Sequence, residues 1–306
     1  MRLLLATATH AQAWRDAFAA ALPGAELHVW PDAPPEVDYA LVWKPPPECF
    51  ARVRVRRAIA NLGAGVDALL RVPTLPADVP VLRLTDAGMA EQMVEYVALA
   101  VLRAFREQRE YARQQRDGRW MPRPRLDKTS YRVGILGMGV LGSAVAQGLL
   151  PLGFPLAGWS RRPRRVDGVA TWSGADGLDR VLAGTCVLVC LLPSTPDTRG
   201  LLDRRTLARL PRGAHLVNVG RGDLVVEPDL LALLDEGHLA SATLDVFDAE
   251  PLPAGHPFWH HPRIDVTPHV SAATLFHASA AQVAARIAAH ARGGPLDGVV
   301  DRALGY

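Results

Sequence analysis

Short apolar runs alternate with helix-length amphipathic stretches along almost the whole chain. Arg2 to Ala6 reads as a strand, Ala11 to Leu22 as a helix stopped by Pro23-Gly24, and Leu27 to Trp30 and Tyr39 to Trp43 as further strands before Pro45-Pro46-Pro47 forces an extended break. Met93, Val97, Ala100, Val101, Ala104 and Phe105 recur at helical spacing, which predicts one long helix from Gly88 to about Gly118. Arg119 to Lys128, with two prolines and many charges, is expected to be a loop. Tyr131 to Gly137 then reads as a buried strand running into a glycine turn. Strand-like runs follow at Leu156 to Trp159, Val187 to Leu192, Leu216 to Val219, Ser241 to Val246 and Ile264 to Val266, and Ala273 to Ala291 is an alanine-rich helix. Strands separated by helix-length segments predict parallel sheets with crossover helices, an α/β fold of the doubly wound kind. A length of 306 residues favours two such domains over one.

Composition narrows the function classes. A formal net charge of +3 makes no demand for a nucleic acid partner. No stretch approaches the apolar length of a membrane span, and the apolar start at MRLLL is too short for a signal-peptide core, so no membrane partner and a cytoplasmic location are expected. Cys49, Cys186 and Cys190 form no disulfide framework and read as reduced core thiols. His256, His260 and His261 cluster, but Pro257 and Pro262 interrupt the regular backbone a helical metal pair would need, so no metal site is expected. The arginines between Arg52 and Arg57 alternate with valines and read as a solvated face.

The turn Gly137-Met138-Gly139-Val140-Leu141-Gly142 is a GxGxxG between a predicted strand and a predicted helix, the context in which that spacing binds a dinucleotide. The first glycine permits a tight turn, the second lets a pyrophosphate approach the backbone, and the third allows close helix–strand packing. The helix N-terminus offers free amides to the anion. About 20 residues on, where an NAD site places an acid, the chain reads Trp159-Ser160-Arg161-Arg162. A hydroxyl and two guanidinium groups suit a 2′-phosphate, so Ser160, Arg161 and Arg162 point to NADPH, with NADH as the alternative. Arg164 and Arg165 read as a solvated loop.

Three segments then fall in order at predicted strand ends: Asn218-Val219-Gly220-Arg221-Gly222, Leu244 to Pro253 with Asp245 and Glu250, and Thr267-Pro268-His269-Val270. In a doubly wound sheet the carboxyl ends of the strands face one crevice, so Arg221, Glu250 and His269 can converge. Reduction of a 2-keto acid needs a cation for the carboxylate and carbonyl and an acid for the nascent alkoxide. Arg221 suits the first task, being bidentate and permanently charged. His269 suits the second because imidazole changes charge near neutral pH, with Glu250 favouring imidazolium and orienting the ring.

With these motifs the chain resembles the D-isomer-specific 2-hydroxyacid dehydrogenases over essentially its whole length. Leu41-Val42-Trp43, Leu62 to Asp67, Gly134 to Gly137 and the ending Val300 to Tyr306 are similar to the bacterial branch that reduces glyoxylate and hydroxypyruvate. The resemblance implies catalytic Arg221, Glu250 and His269. It also implies substrate binding by Arg221 and by the amides of Ala64 and Gly65, and cofactor contacts from Leu192, Pro193, Thr198, Val219 and, through the nicotinamide carboxamide, Asp245. It implies two α/β domains, a flavodoxin-like substrate domain of residues 1–98 and 276–306 and a Rossmann-type cofactor domain of residues 99–275, in a homodimer. After His269 the chain reads Val-Ser-Ala-Ala-Thr where many relatives carry glycines, which limits how far the substrate pocket transfers. Trp43 and Trp120 are candidates for pocket walls, core packing or dimer contact. The expected activity is NADPH-dependent reduction of a small 2-keto acid to the 2-hydroxy acid. Another D-2-hydroxyacid dehydrogenase, or a dinucleotide-sensing binding protein of the same fold, are the alternatives.

Overall fold

The computed structural model describes all 306 residues. Seven helices of nine residues or more, α1 (Ala11–Ala21), α2 (Met89–Phe105), α3 (Gln108–Arg116), α4 (Val140–Leu149), α5 (Gly174–Leu182), α6 (Glu227–Asp235) and α7 (Phe276–Ala291), alternate with twelve strands. The chain divides into two units, Met1–Met89 with Thr274–Tyr306, and Ala90–Ala273.

The first unit is built on β1 (Arg2–Thr7), β2 (Glu26–Val29), β3 (Glu36–Trp43), β4 (Arg54–Asn61) and β5 (Val81–Leu82), all parallel in the order β2-β1-β3-β4-β5. That is the flavodoxin-like order. Both chain ends do belong to it. Helix α7 returns to pack on α1, where the Trp14 and Phe276 rings meet edge to face at 5.0 Å. Farther on, the tail pairs with β5 through Arg83 N to Gly298 O and Val300 N to Val81 O.

The second unit holds β6 (Arg132–Leu136), β7 (Leu156–Ser160), β8 (Ala170–Ser173), β9 (Thr185–Cys190), β10 (Ala214–Asn218), β11 (Leu239–Leu244) and β12 (Ile264–Val266). Their order is β12-β11-β10-β9-β6-β7-β8, again all parallel. Alternate residues of each strand fill opposite faces: Leu188, Cys190 and Leu216 join one core, Val187, Val189 and Val217 the other. The order of strand succession reverses between β6 and β9, and at such a switch point the loops diverge and leave a crevice at the strands' carboxyl ends.

Two differences from the sequence pattern have physical causes. Met93, Val97, Ala100 and Val101 bury in the same core as Val133, Val187 and Val217, so nearly all of α2 belongs to the second unit. The boundaries therefore fall after Met89 and Ala273 instead of after residues 98 and 275. The single helix expected to run to Gly118 is broken in two at Glu107, whose backbone is left-handed (φ 50°). No glycine or proline marks this break. Tertiary ion pairs hold it, Arg123 Nε to Glu107 Oε1 at 2.7 Å and Arg109 Nη2 to Asp265 Oδ2 at 2.5 Å.

Candidate active site

The glycine turn follows β6 and opens α4, as its spacing requires. Gly137 adopts φ +102°, and a Cβ there would press on the Leu191 carbonyl. At Gly142 a Cβ would run into the Gly137 carbonyl, so only glycine lets the helix lie this close to the turn. Gly139 differs, because a Cβ there would project into open space. Nothing in the protein forbids a side chain at Gly139, and the vacant volume borders the first amides of α4, at Val140, Leu141 and Gly142, which lack intrahelical acceptors. Such a cradle fits a pyrophosphate against a helix N-terminus. Met138 sends its side chain into the core, where it packs on Gly158, and offers the site only its backbone.

The adjacent strand β7 ends in Ser160, whose hydroxyl donates to the Arg162 carbonyl at 2.7 Å. Arg161 faces Asp197 at 3.8 Å, and Arg162 is exposed. Because β6 and β7 are neighbours, the hydroxyl and both guanidinium groups stand at the strand end next to the glycine turn. After β9, Thr198 folds the Leu192–Pro193 loop by donating to the Pro193 carbonyl at 2.6 Å and accepting from Thr195 N at 2.9 Å. Val219 N donates to the Cys190 carbonyl and keeps the next loop in step with it.

Arg221 sits in the turn after β10. Asn218, fully buried, shapes that turn: its amide donates to the Arg221 carbonyl at 2.8 Å, and its side-chain oxygen accepts from Gly220 N at 3.2 Å. A Cβ at Gly222 would overlap the Phe247 backbone, so this glycine lets the Arg221 turn lie directly against the segment leading to Glu250. Glu250 Oε1 accepts from Phe247 N at 3.1 Å, and Oε2 lies 2.8 Å from His269 Nδ1. Burial alone would raise the Glu250 carboxyl, but the His269 bond, the Phe247 amide and the charges of His269 and Arg221 outweigh it. The carboxyl is held below its ordinary range. His269 remains about half exposed (47%), reachable from solvent.

Arg221, Glu250 and His269 thus meet at the carboxyl ends of neighbouring strands. Asp245, between them in the sheet, has no exposed surface. Its Oδ1 accepts from the Thr267 hydroxyl (2.6 Å) and Val270 N (2.9 Å), its Oδ2 from Ser271 N (2.8 Å), and its carbonyl from His269 N (2.9 Å). Its carboxylate therefore anchors the turn carrying His269, and the carboxamide contact implied by the resemblance would have to reach a group with no surface here. His269 itself is left-handed (φ 56°), a conformation costly for a residue with a Cβ and sustained by these bonds.

In the first unit, Asn61 Nδ2 donates at 2.9 Å to the carbonyls of both Gly63 and Gly65. No hydrogen bond within the protein uses the amides of Ala64 and Gly65. The Trp43 ring packs against Gly63, where a Cβ would strike it. Trp120 is 98% exposed and belongs to no core. Pattern reading assigned no task to Asn61, Asn218 or Thr267. The place of Asn218 four residues before the glycine of the Arg221 turn was the one available signal.

Other clusters have structural explanations. His256 pairs with Glu227 at 3.0 Å and accepts from Phe258 N, and His261 pairs with Asp235 at 3.2 Å. Arg54 and Arg56 face Glu36, Arg57 faces Asp38, and Arg52 stacks on Trp30. All three cysteines are free, and burial pushes the thiols of Cys49 and Cys190 up to about 12. No helix is long and apolar enough to cross a membrane.

Comparison with known proteins agrees with this geometry. Residues 98–271 match the model of the D-isomer specific 2-hydroxyacid dehydrogenase NAD binding domain. The glyoxylate/hydroxypyruvate reductase A of Serratia proteamaculans is 46% identical over 303 residues, 97% of each chain. A D-isomer specific 2-hydroxyacid dehydrogenase from Xanthobacter autotrophicus Py2, solved with NADPH and MES, superposes with a TM-score of 0.95 at 42% identity, covering 100% of this chain and 99% of that one. The NADPH-dependent glyoxylate/hydroxypyruvate reductase of Sinorhizobium meliloti, solved with NADP and sulfate, gives 0.94 at 38% identity, with coverage of 100% and 99%. A glycine cradle, a cation and a carboxylate-paired histidine on one doubly wound sheet, together with likeness over the full length, place this chain in the D-isomer specific 2-hydroxyacid dehydrogenase family.

Proposed function

We propose that this dehydrogenase is an NADPH-dependent reductase of small 2-keto acids, converting glyoxylate to glycolate and hydroxypyruvate to D-glycerate. The observation that carries the reading is the His269–Glu250 pair at 2.8 Å with the Arg221 charge bearing on it, in the same unit as the glycine cradle. The dinucleotide, when bound, supplies the hydride to the carbonyl carbon. Residues 137–142 hold its pyrophosphate, and Ser160, Arg161 and Arg162 hold the 2′-phosphate. The loop of Leu192, Pro193 and Thr198 lines the same cofactor site with Val219.

Arg221 binds the substrate carboxylate and polarises the carbonyl, a task for which a permanently charged fork is suited. Protonated His269 donates to the oxygen that gains charge as the hydride arrives. Glu250 accepts from Nδ1–H and orients the ring, leaving Nε2 as the donor. In oxidation the neutral imidazole is the base. The Ala64 and Gly65 amides supply further donors for the carboxylate. Asp245 acts through the His269 turn.

NADPH and the two substrates rest on the Serratia and Sinorhizobium relatives, together with the basic end of β7. We further propose a cytoplasmic homodimer. Free thiols suit the compartment, and Trp120 with half-exposed Met121 forms an apolar tip fit for a second copy. Initial rates of NADPH and NADH consumption with glyoxylate, hydroxypyruvate, pyruvate and a longer keto acid test the assignment. Fast NADPH-dependent turnover of the first two is expected. A preference for NADH would overturn the cofactor assignment, and tight cofactor binding without turnover would point to a sensor.

A further inference from the structure

Helix α2 touches the His269-bearing segment at both of its ends. Gln92 Oε1 accepts from Ala273 N at 3.1 Å while its Nε2 donates to the Ala273 carbonyl at 3.0 Å. One helical turn later, the Tyr96 hydroxyl lies 2.6 Å from Thr267 Oγ1. Proton inventory orients this second contact. A hydroxyl has one hydrogen, and Thr267 spends its own on Asp245 Oδ1 at 2.6 Å. The Tyr96 O–H must therefore be the donor to Thr267. The result is a directed chain, Tyr96 O–H to Thr267 O–H to the Asp245 carboxylate, and that carboxylate also holds the amides of Val270 and Ser271.

We propose that Tyr96 is a positioning residue for His269: its phenol, acting through Thr267 and Asp245, fixes the turn that aims the imidazole. The proposal rests on the assignment of His269 as proton donor. Three observations support it. Asp245 is wholly buried with no cation bonded to it, so its charge depends on donated hydrogen bonds, each strengthened by the next in line. The His269 backbone is left-handed, and Asp245 bonds Thr267 on one side of it and Val270 and Ser271 on the other. The Tyr96 phenol stays a donor, because burial, with Asp245 and Asp265, raises it above its ordinary range despite the Thr267 bond and Arg103. A phenylalanine would fill the same space on α2. Only the hydroxyl distinguishes it.

The test compares Tyr96→Phe, Thr267→Val, Thr267→Ser, the double variant Tyr96→Phe/Thr267→Val and His269→Asn, assayed with NADPH and glyoxylate. Tyr96→Phe is expected to lower kcat about five-fold, the worth of about one hydrogen bond, with KM and NADPH affinity nearly unchanged. Thr267→Ser, which keeps the hydroxyl, should recover most of the rate lost in Thr267→Val. The double variant should lose no more than Thr267→Val alone, since a chain is broken once. Wild-type kcat in Tyr96→Phe, or multiplicative losses in the double variant, overturn the proposal while an inactive His269→Asn leaves the active site standing. A His269→Asn enzyme that retains its rate overturns both.

Discussion

Replacing Glu250 by glutamine removes a charge and little else. The amide oxygen can still accept from Phe247 N or His269, so the turn keeps its shape and the test isolates electrostatics. At 2.8 Å between Nδ1 and Oε2, with charge centres about 4 Å apart, the attraction is about 1 kcal/mol in water and about 4 kcal/mol at an effective dielectric of about 20. The imidazole is 47% and the carboxylate 31% exposed, so solvent screening draws the value toward the lower end, about 1–2 kcal/mol. That corresponds to about a ten-fold effect on the rate. The assay is kcat/KM for glyoxylate with NADPH as a function of pH. In the variant, kcat/KM should be about ten-fold lower above the ordinary carboxylate range, and the deficit should close in acid, where the wild-type carboxyl is neutral too. The depressed Glu250 carboxyl stays charged below the ordinary carboxylate range, and its contribution is lost only as pH falls through its lowered value. No loss at all, or a loss equal at every pH, would refute the electrostatic role.

The glycine turn makes a contrasting pair. Gly139→Ala meets only open space, so Tm should be unchanged while NADPH affinity drops. Gly142→Ala drives a Cβ into the Gly137 carbonyl and should lower Tm as well, overpacking there costing about 1–3 kcal/mol of stability. Thermal unfolding with fluorescence titration separates the two. Arg161→Ala and Arg162→Ala should each weaken NADPH about ten-fold and leave NADH unaffected, the loss of one charge-assisted bond; equal effects on both cofactors would remove the 2′-phosphate assignment. His215, bonded to Ser241 at 2.6 Å, is lowered from 6.5 to about 4 by burial and by the Arg109 charge. Between those pH values the unfolded chain holds more protons than the folded one, so stability falls as pH falls through that window, by about 3 kcal/mol in all. Denaturant titrations of His215→Gln should show a flatter pH dependence. Trp120→Glu should halve the mass measured by sedimentation equilibrium if the tip joins two copies.

Much of the fold was legible because its signals are local. Parallel strands buried on both faces read as short apolar runs, and Gly137, Gly139 and Gly142 sit at a spacing that only a phosphate turn explains well. The strand-end positions of Arg221, Glu250 and His269 followed from topology alone, since doubly wound sheets bring strand termini to one side. The short edge strands β5 and β8 escaped notice, and so did β4, whose exposed Arg54, Arg56 and Arg57 mask the buried run from Ala58 to Asn61. The break at Glu107 escaped because ion pairs from Arg123 and a distant strand, not local propensity, hold it.

What tertiary structure alone decided is the support behind the reacting groups. Asn218, Asp245, Thr267 and Tyr96 form one hydrogen-bonded framework from residues far apart in the chain. Nothing in the spacing of a tyrosine on a helix says which hydroxyl it will meet. Periodicity reports which face of an element is buried, and that follows from the chain's local chemistry. Direction and distance between polar atoms depend on how separate elements dock, so they are settled only when the whole sheet and its helices are in place.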